Sequence, residues 1–95
     1  VVDDGSTDGT RELMAAWRHE ASFSIRYLWQ PNAGKHRAFN RGVAEARGAL
    51  FVPHDSDDEA LPHALQRFAE LWAEVPTALR ERLSGITVLC ADMQG

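Results

Sequence analysis

VVDDGSTDGT (residues 1–10) passes in one short stretch from two β-branched side chains to three carboxylates and two glycines. Val1 and Val2 have the composition of a strand's last residues, so the chain enters at the end of a strand and runs straight into a polar, conformationally demanding loop. A complete domain seldom starts there. The expectation is therefore a partial domain covering residues 1–95, incomplete at its N-terminus and also at its C-terminus.

Working outward from that loop, Ser6 or Thr7 is placed to cap a helix with Asp8 in its first turn. Leu13, Met14 and Trp17 recur at helical spacing through about His19. SIRYLW (24–29) has strand alternation, with Ile25, Tyr27 and Trp29 on one face, and it stops at the Pro- and Gly-containing QPNAG. A helix is predicted from about Lys35 to Arg47, with Phe39, Val43 and Ala46 inward and Gly48 suited to a left-handed end. ALFVP (49–53) is a continuous apolar run, as in a strand buried on both faces, and it ends in HDSDDE. Leu61, Leu65, Phe68 and Trp72 form the stripe of a helix over 61–74 with Pro76 past its end, and ITVLCA (86–91) supplies a last strand. Alternating strands and helices predict an α/β fold: a mostly parallel, Rossmann-like sheet with helices on both faces.

Composition narrows the function. Fourteen acids against ten bases give a net charge of -4, so no global basic field is available to hold a nucleic acid. Cys90 is the single cysteine, which excludes an intrachain disulfide, a zinc ribbon and a CxxC motif. No apolar run approaches the ~20 residues that span a bilayer, so no membrane segment is expected within this stretch.

In open parallel sheets the loops after the strands' carboxyl ends gather on one edge and form the ligand crevice, and both acidic clusters fall in such loops. Asp55, Asp57, Asp58 and Glu59 crowd into HDSDDE. Like charges near 6 Å apart repel by roughly 0.7 kcal/mol in water, and several-fold more where partly buried. A divalent cation offsets that repulsion, and hard oxygen ligands suit Mg2+ or Mn2+. A solvated acidic turn at the positive end of the following helix accounts for the same residues. In the first loop Gly5 allows close backbone approach to a ligand while Asp3 and Asp4 project from the strand end. An ordinary Asp/Gly turn explains Ser6, Thr7 and Asp8, but not two adjacent acids at the strand terminus.

The order VVDDGSTDGT, then NAGKHRAFNRGVAEARGALF, then DSDDEALPHAL resembles the nucleotide-sugar-binding half of family 2 glycosyltransferases of the GT-A fold. The matching segments are Val2 to Asp8, Asn32 to Asn40, Ala46 to Gly48, and Asp55 to Asp58 with Pro62; residues 69–95 carry no matching motif. The resemblance implies an inverting, metal-dependent transferase acting on a nucleotide-diphosphate sugar, with a UDP-sugar favoured and a glycan, lipid or protein acceptor. It also implies a cytoplasmic location, at the inner face of a membrane through regions outside this stretch. By the same resemblance Asp4 bonds the nucleobase edge, and Asp3 supports the loop or contacts the nucleoside. Asn32, Gly34, Lys35 and Asn40 shape the nucleotide wall, with Lys35 equally readable as a solvated first-turn lysine. Asp55 faces the ribose or sugar and is also a candidate metal ligand, Asp57 ligates Mn2+ or Mg2+, and Asp58 is a further candidate ligand. The general base is expected outside the stretch; Asp92 is conceivable but has no motif around it. His54 stands where the family usually has an apolar residue, and reads as a strand-end histidine with a backbone partner.

Rival readings are weaker. DGSTDG sets Asp4, Ser6, Asp8 and Gly9 at the first, third, fifth and sixth positions of an EF-hand, but the twelfth is Ala15, which removes the bidentate glutamate. AGKHR lacks the earlier glycine and the Ser or Thr of a P-loop. A non-catalytic nucleotide-sugar-binding or assembly domain remains the alternative to an enzyme.

Overall fold

A computed structural model describes residues 1–86, which fall into two compact units divided after Pro53. The first holds β1 (Val2–Asp4), α1 (Thr10–Glu20), β2 (Leu28–Gln30) and α2 (Lys35–Glu45). β1 and β2 pair in parallel with Val2 opposite Leu28, Asp3 opposite Trp29 and Asp4 opposite Gln30. Parallel neighbours need a long crossover, and α1 lies in it. The α/β reading holds, with a two-stranded parallel sheet among the described residues.

α1 starts later than its expected cap. Gly9 is the N-cap and makes no side-chain bond, while Asp8 sits just outside the helix and its carboxylate accepts both the amide and the hydroxyl of Thr10. Ser6 does not cap because it lies three residues before the Gly9 N-cap; its amide donates to the Asp3 carboxylate at 2.8 Å. Of the expected stripe only Met14 is buried; Leu13 and Trp17 are about half exposed.

Gly34 is the N-cap of α2, at a φ of 96° that only glycine adopts readily. It ends at Glu45 by an extended Ala46, so Gly48 is not the left-handed terminator expected of it. The helix packs on β1, and its more sheltered row runs through Ala38, Arg41 and Gly42 rather than Phe39 and Val43, which are exposed. A Cβ on Gly42 would lie 3.7 Å from Val2 Cγ2, so the small residue lets helix and strand approach.

ALFVP is not a strand. A strand is defined by its ladder, and no described residue pairs with 49–53, which leaves Leu50, Phe51 and Val52 exposed. Phe51 instead meets Phe39 edge-on, with centroids 5.5 Å apart and planes at 83°. The apolar run was therefore a correct sign of stickiness but not of pairing.

The second unit contains α3 (Ala64–Glu74) and α4 (Thr77–Arg80). α3 starts after the expected Leu61, and Leu61 and Leu65 are strongly exposed while Phe68 and Trp72 are half-buried. Pro76, past its end as expected, is the N-cap of α4. Arg80 reaches back to bond the carbonyls of Val75 and Ala73, each at 3.0 Å, with its guanidinium over the Trp72 ring. The strand expected over 86–91, with Cys90, and Asp92 lie outside the described residues, apart from a non-strand Ile86.

Candidate functional site

The register of β1 and β2 builds the first group. Successive strand residues face opposite sides, so Asp3 and Asp4 diverge into different environments. Asp3 is buried, at 6% exposure; one carboxylate oxygen accepts the Ser6 amide and the other the Tyr27 hydroxyl. Burial alone would raise the Asp3 carboxyl, but these hydrogen bonds and the nearby Arg11 charge outweigh it, and the group lies below its ordinary value. Tyr27 shifts the other way, raised by desolvation and by its bond to the Asp3 carboxylate.

Asp4 turns toward the loop that follows β2. Its Oδ1 accepts Gln30 Nε2 at 2.8 Å and the Ala33 amide at 2.9 Å, and its Oδ2 accepts the Gly34 amide at 2.9 Å. The Gln30 bond first, then the two amides, favour the charged form and hold this carboxyl below the usual range. Gly5, at φ 93°, lets the Asn32 backbone come close: a Cβ there would sit 2.7 Å from the Asn32 amide nitrogen. The close approach expected of a ligand at Gly5 is thus made by the chain itself. Asp3, Asp4, Gly5, Asn32 and Gly34 are brought together at the carboxyl ends of the paired strands. Lys35 opens α2 with an exposed side chain, and Asn40 is exposed farther along the same helix.

Several participants were not singled out from the sequence. Gln30 lies opposite Asp4, and Arg41 Nη1 reaches both its Oε1, at 3.3 Å, and the Trp29 carbonyl, at 3.1 Å. Trp29 donates its indole N–H to the Ser6 carbonyl at 3.2 Å, beneath the Arg11 guanidinium at 5.5 Å. The usable signal was the parallel register, which sets residue 30 beside residue 4.

The second group lies in the other unit. Asp55, Asp57 and Asp58 are exposed, and each offers a carboxylate oxygen within 4.8 Å of the others. The Asp58 amide closes a turn onto the Asp55 carbonyl at 3.1 Å. An ion with ~2.1 Å bonds separates opposed ligands by about 4.2 Å, so a small local adjustment lets this all-oxygen donor set fit a hard divalent cation. The competing helix-dipole explanation loses its geometry, because α3 starts at Ala64 with no acid in its first turn. His54 is exposed beside this turn. No helix among the described residues is long and apolar enough to cross a membrane.

Comparison with known proteins identifies the family. The sequence pattern of Glycosyl transferase family 2 matches residues 1–80. An uncharacterized glycosyltransferase of Nostoc sp. is 40% identical over 72 residues, which is 76% of this chain and 22% of that protein. The undecaprenyl-phosphate 4-deoxy-4-formamido-L-arabinose transferase of Pseudomonas aeruginosa is 33% identical over 75 residues, 78% of this chain and 22% of that protein. An uncharacterized glycosyltransferase of Escherichia coli is 40% identical over 62 residues, 65% of this chain and 18% of that protein. The chain thus spans 18–22% of the length of these relatives. No solved structure matches it. With the family pattern running through both acidic groups, the chain belongs to glycosyl transferase family 2.

Proposed function

We propose that residues 1–95 are the donor-binding part of a GT-A domain, and that the full-length protein transfers a sugar from a nucleotide-diphosphate sugar, a UDP-sugar first among them, with inversion. The observation that carries this reading is the Asp4 carboxylate at the end of β1, clamping the Ala33–Gly34 backbone in a chain matched to the family. The Pseudomonas relative's name makes a lipid phosphate a natural acceptor to try first, with a glycan or protein acceptor next.

In this proposal the residues divide the work. A carboxylate has about four acceptor sites, and Asp4 uses three of them on the protein, leaving a site on Oδ2 for a nucleobase N–H. Asp3, with both oxygens occupied, supports the loop. Gly5, Asn32 and Gly34 shape the wall of the nucleotide site, and Lys35 and Asn40 extend it. Asp55 faces the ribose or sugar, and Asp57 with Asp58 would hold Mn2+ or Mg2+. When bound, such a cation neutralises charge on the departing diphosphate. The base that takes the acceptor proton is assigned outside residues 1–95.

Titration of the full-length protein with UDP-, GDP- and dTDP-sugars, with and without Mn2+, tests the proposal. Metal-dependent binding of one of them is expected, and Asp57→Asn should abolish the metal dependence while preserving the fold. Absent or metal-independent binding favours a non-catalytic binding or assembly domain.

A further inference from the structure

Arg41 is the centre of a polar relay that the donor-binding reading does not use. Its Nη1 donates to Gln30 Oε1 at 3.3 Å and to the Trp29 carbonyl at 3.1 Å, and Gln30 Nε2 in turn donates to Asp4 Oδ1 at 2.8 Å. The order of these groups is fixed by their chemistry. Arg has donors alone and an ionised carboxylate has acceptors alone. A flipped Gln30 amide would set its NH2 against the guanidinium and its oxygen against the carboxylate, losing both bonds. Arg41 therefore selects the amide orientation that grips Asp4. The grip has direction as well: Oδ1 takes Gln30 and Ala33 while Oδ2 takes Gly34, so the carboxylate plane cannot turn without breaking bonds to β2 or to the loop. Because Arg41 belongs to α2 and the same atom holds the Trp29 carbonyl, the relay ties helix, strand and loop at one point.

We propose that Arg41 is a positioning residue for the nucleotide, acting through Gln30 to fix the rotamer of Asp4 and hence the direction in which its free Oδ2 site points. This rests on the donor-binding reading, and the experiment separates the two. Full-length protein is titrated by calorimetry with UDP, GDP and dTDP in the presence of Mn2+, and the tightest binder is carried through the variants. Arg41→Met and Gln30→Leu each weaken that nucleotide about tenfold. The double variant is no weaker than either single one, because both break the same relay. Arg41→Lys, which keeps a donor, stays within about threefold of wild type, and every variant keeps the wild-type circular dichroism spectrum at the titration temperature. Unchanged affinity in Arg41→Met overturns the positioning role alone, as do losses that multiply in the double variant or that Arg41→Lys does not rescue. A wild type that binds none of the three nucleotides overturns the donor-binding reading, and this inference with it.

Discussion

Asp4 carries its proton equilibrium as a signature. The bond from Gln30, then the amides of Ala33 and Gly34, lower its folded pKa, so acidification protonates the unfolded chain before the folded one. The stabilisation is complete above the ordinary Asp value of about 3.9 and disappears as pH falls through the lower folded value. Urea midpoints of wild type and Asp4→Asn should therefore differ most above about pH 5, with the gap closing only as pH falls from about 4 through the lower folded value. A gap independent of pH would mean the carboxylate does not bind its loop in the charged form. Gly5 and Gly9 offer a matched pair beside it. Gly5→Ala forces a side chain into φ 93° against the Asn32 backbone and should destabilise by about 2–3 kcal/mol. Gly9→Ala, at the α1 N-cap with φ -75° and open space around it, should change stability by less than about 1 kcal/mol, the entropic gain being offset by a poorer N-cap. Equal losses at both glycines would contradict the close approach. From sequence, Asp3, Asp4 and Gly5 were legible by type and place. The reason for Gly5 was not, because its neighbour Asn32 is distant along the chain and known only through the register of β2.

At the scale of elements, a parallel strand pair, an intervening helix and a helix after the loop could all be read from periodicity and punctuation. Which faces they bury could not. The α2 stripe was sought among large apolar residues, but the sheltered row contains Ala38 and Gly42, whose small size permits contact, and Arg41, whose charge is drawn to carbonyl and amide oxygens. Residues 49–53 show the opposite error, strand composition without a partner strand. Hydrogen exchange on this chain separates the two kinds of backbone: the Ala33 and Gly34 amides, bonded to Asp4, should exchange slowly relative to those of 50–52. Protection over 50–52 would show that the apolar run forms a ladder after all.

For the whole molecule, the family pattern covers residues 1–80 and therefore includes both acidic groups, although each belongs to a separate compact unit. Met14 is the one buried apolar residue among those described, while Leu61, Leu65 and Phe23 are well exposed. The order of motifs carried the family assignment, since chemistry is written in a few residue types at fixed spacing. Packing was less legible because burial depends on partners that periodicity does not name. The central proposal is that Asp4, through its remaining Oδ2 site, holds the nucleobase of the donor. A crystal structure of the full-length protein with UDP and Mn2+, using the anomalous signal of manganese, tests it most directly. The proposal predicts a nucleobase N–H on Asp4 Oδ2 and manganese held by Asp57. A nucleotide whose base lies away from Asp4, or manganese bound away from Asp57, would contradict it.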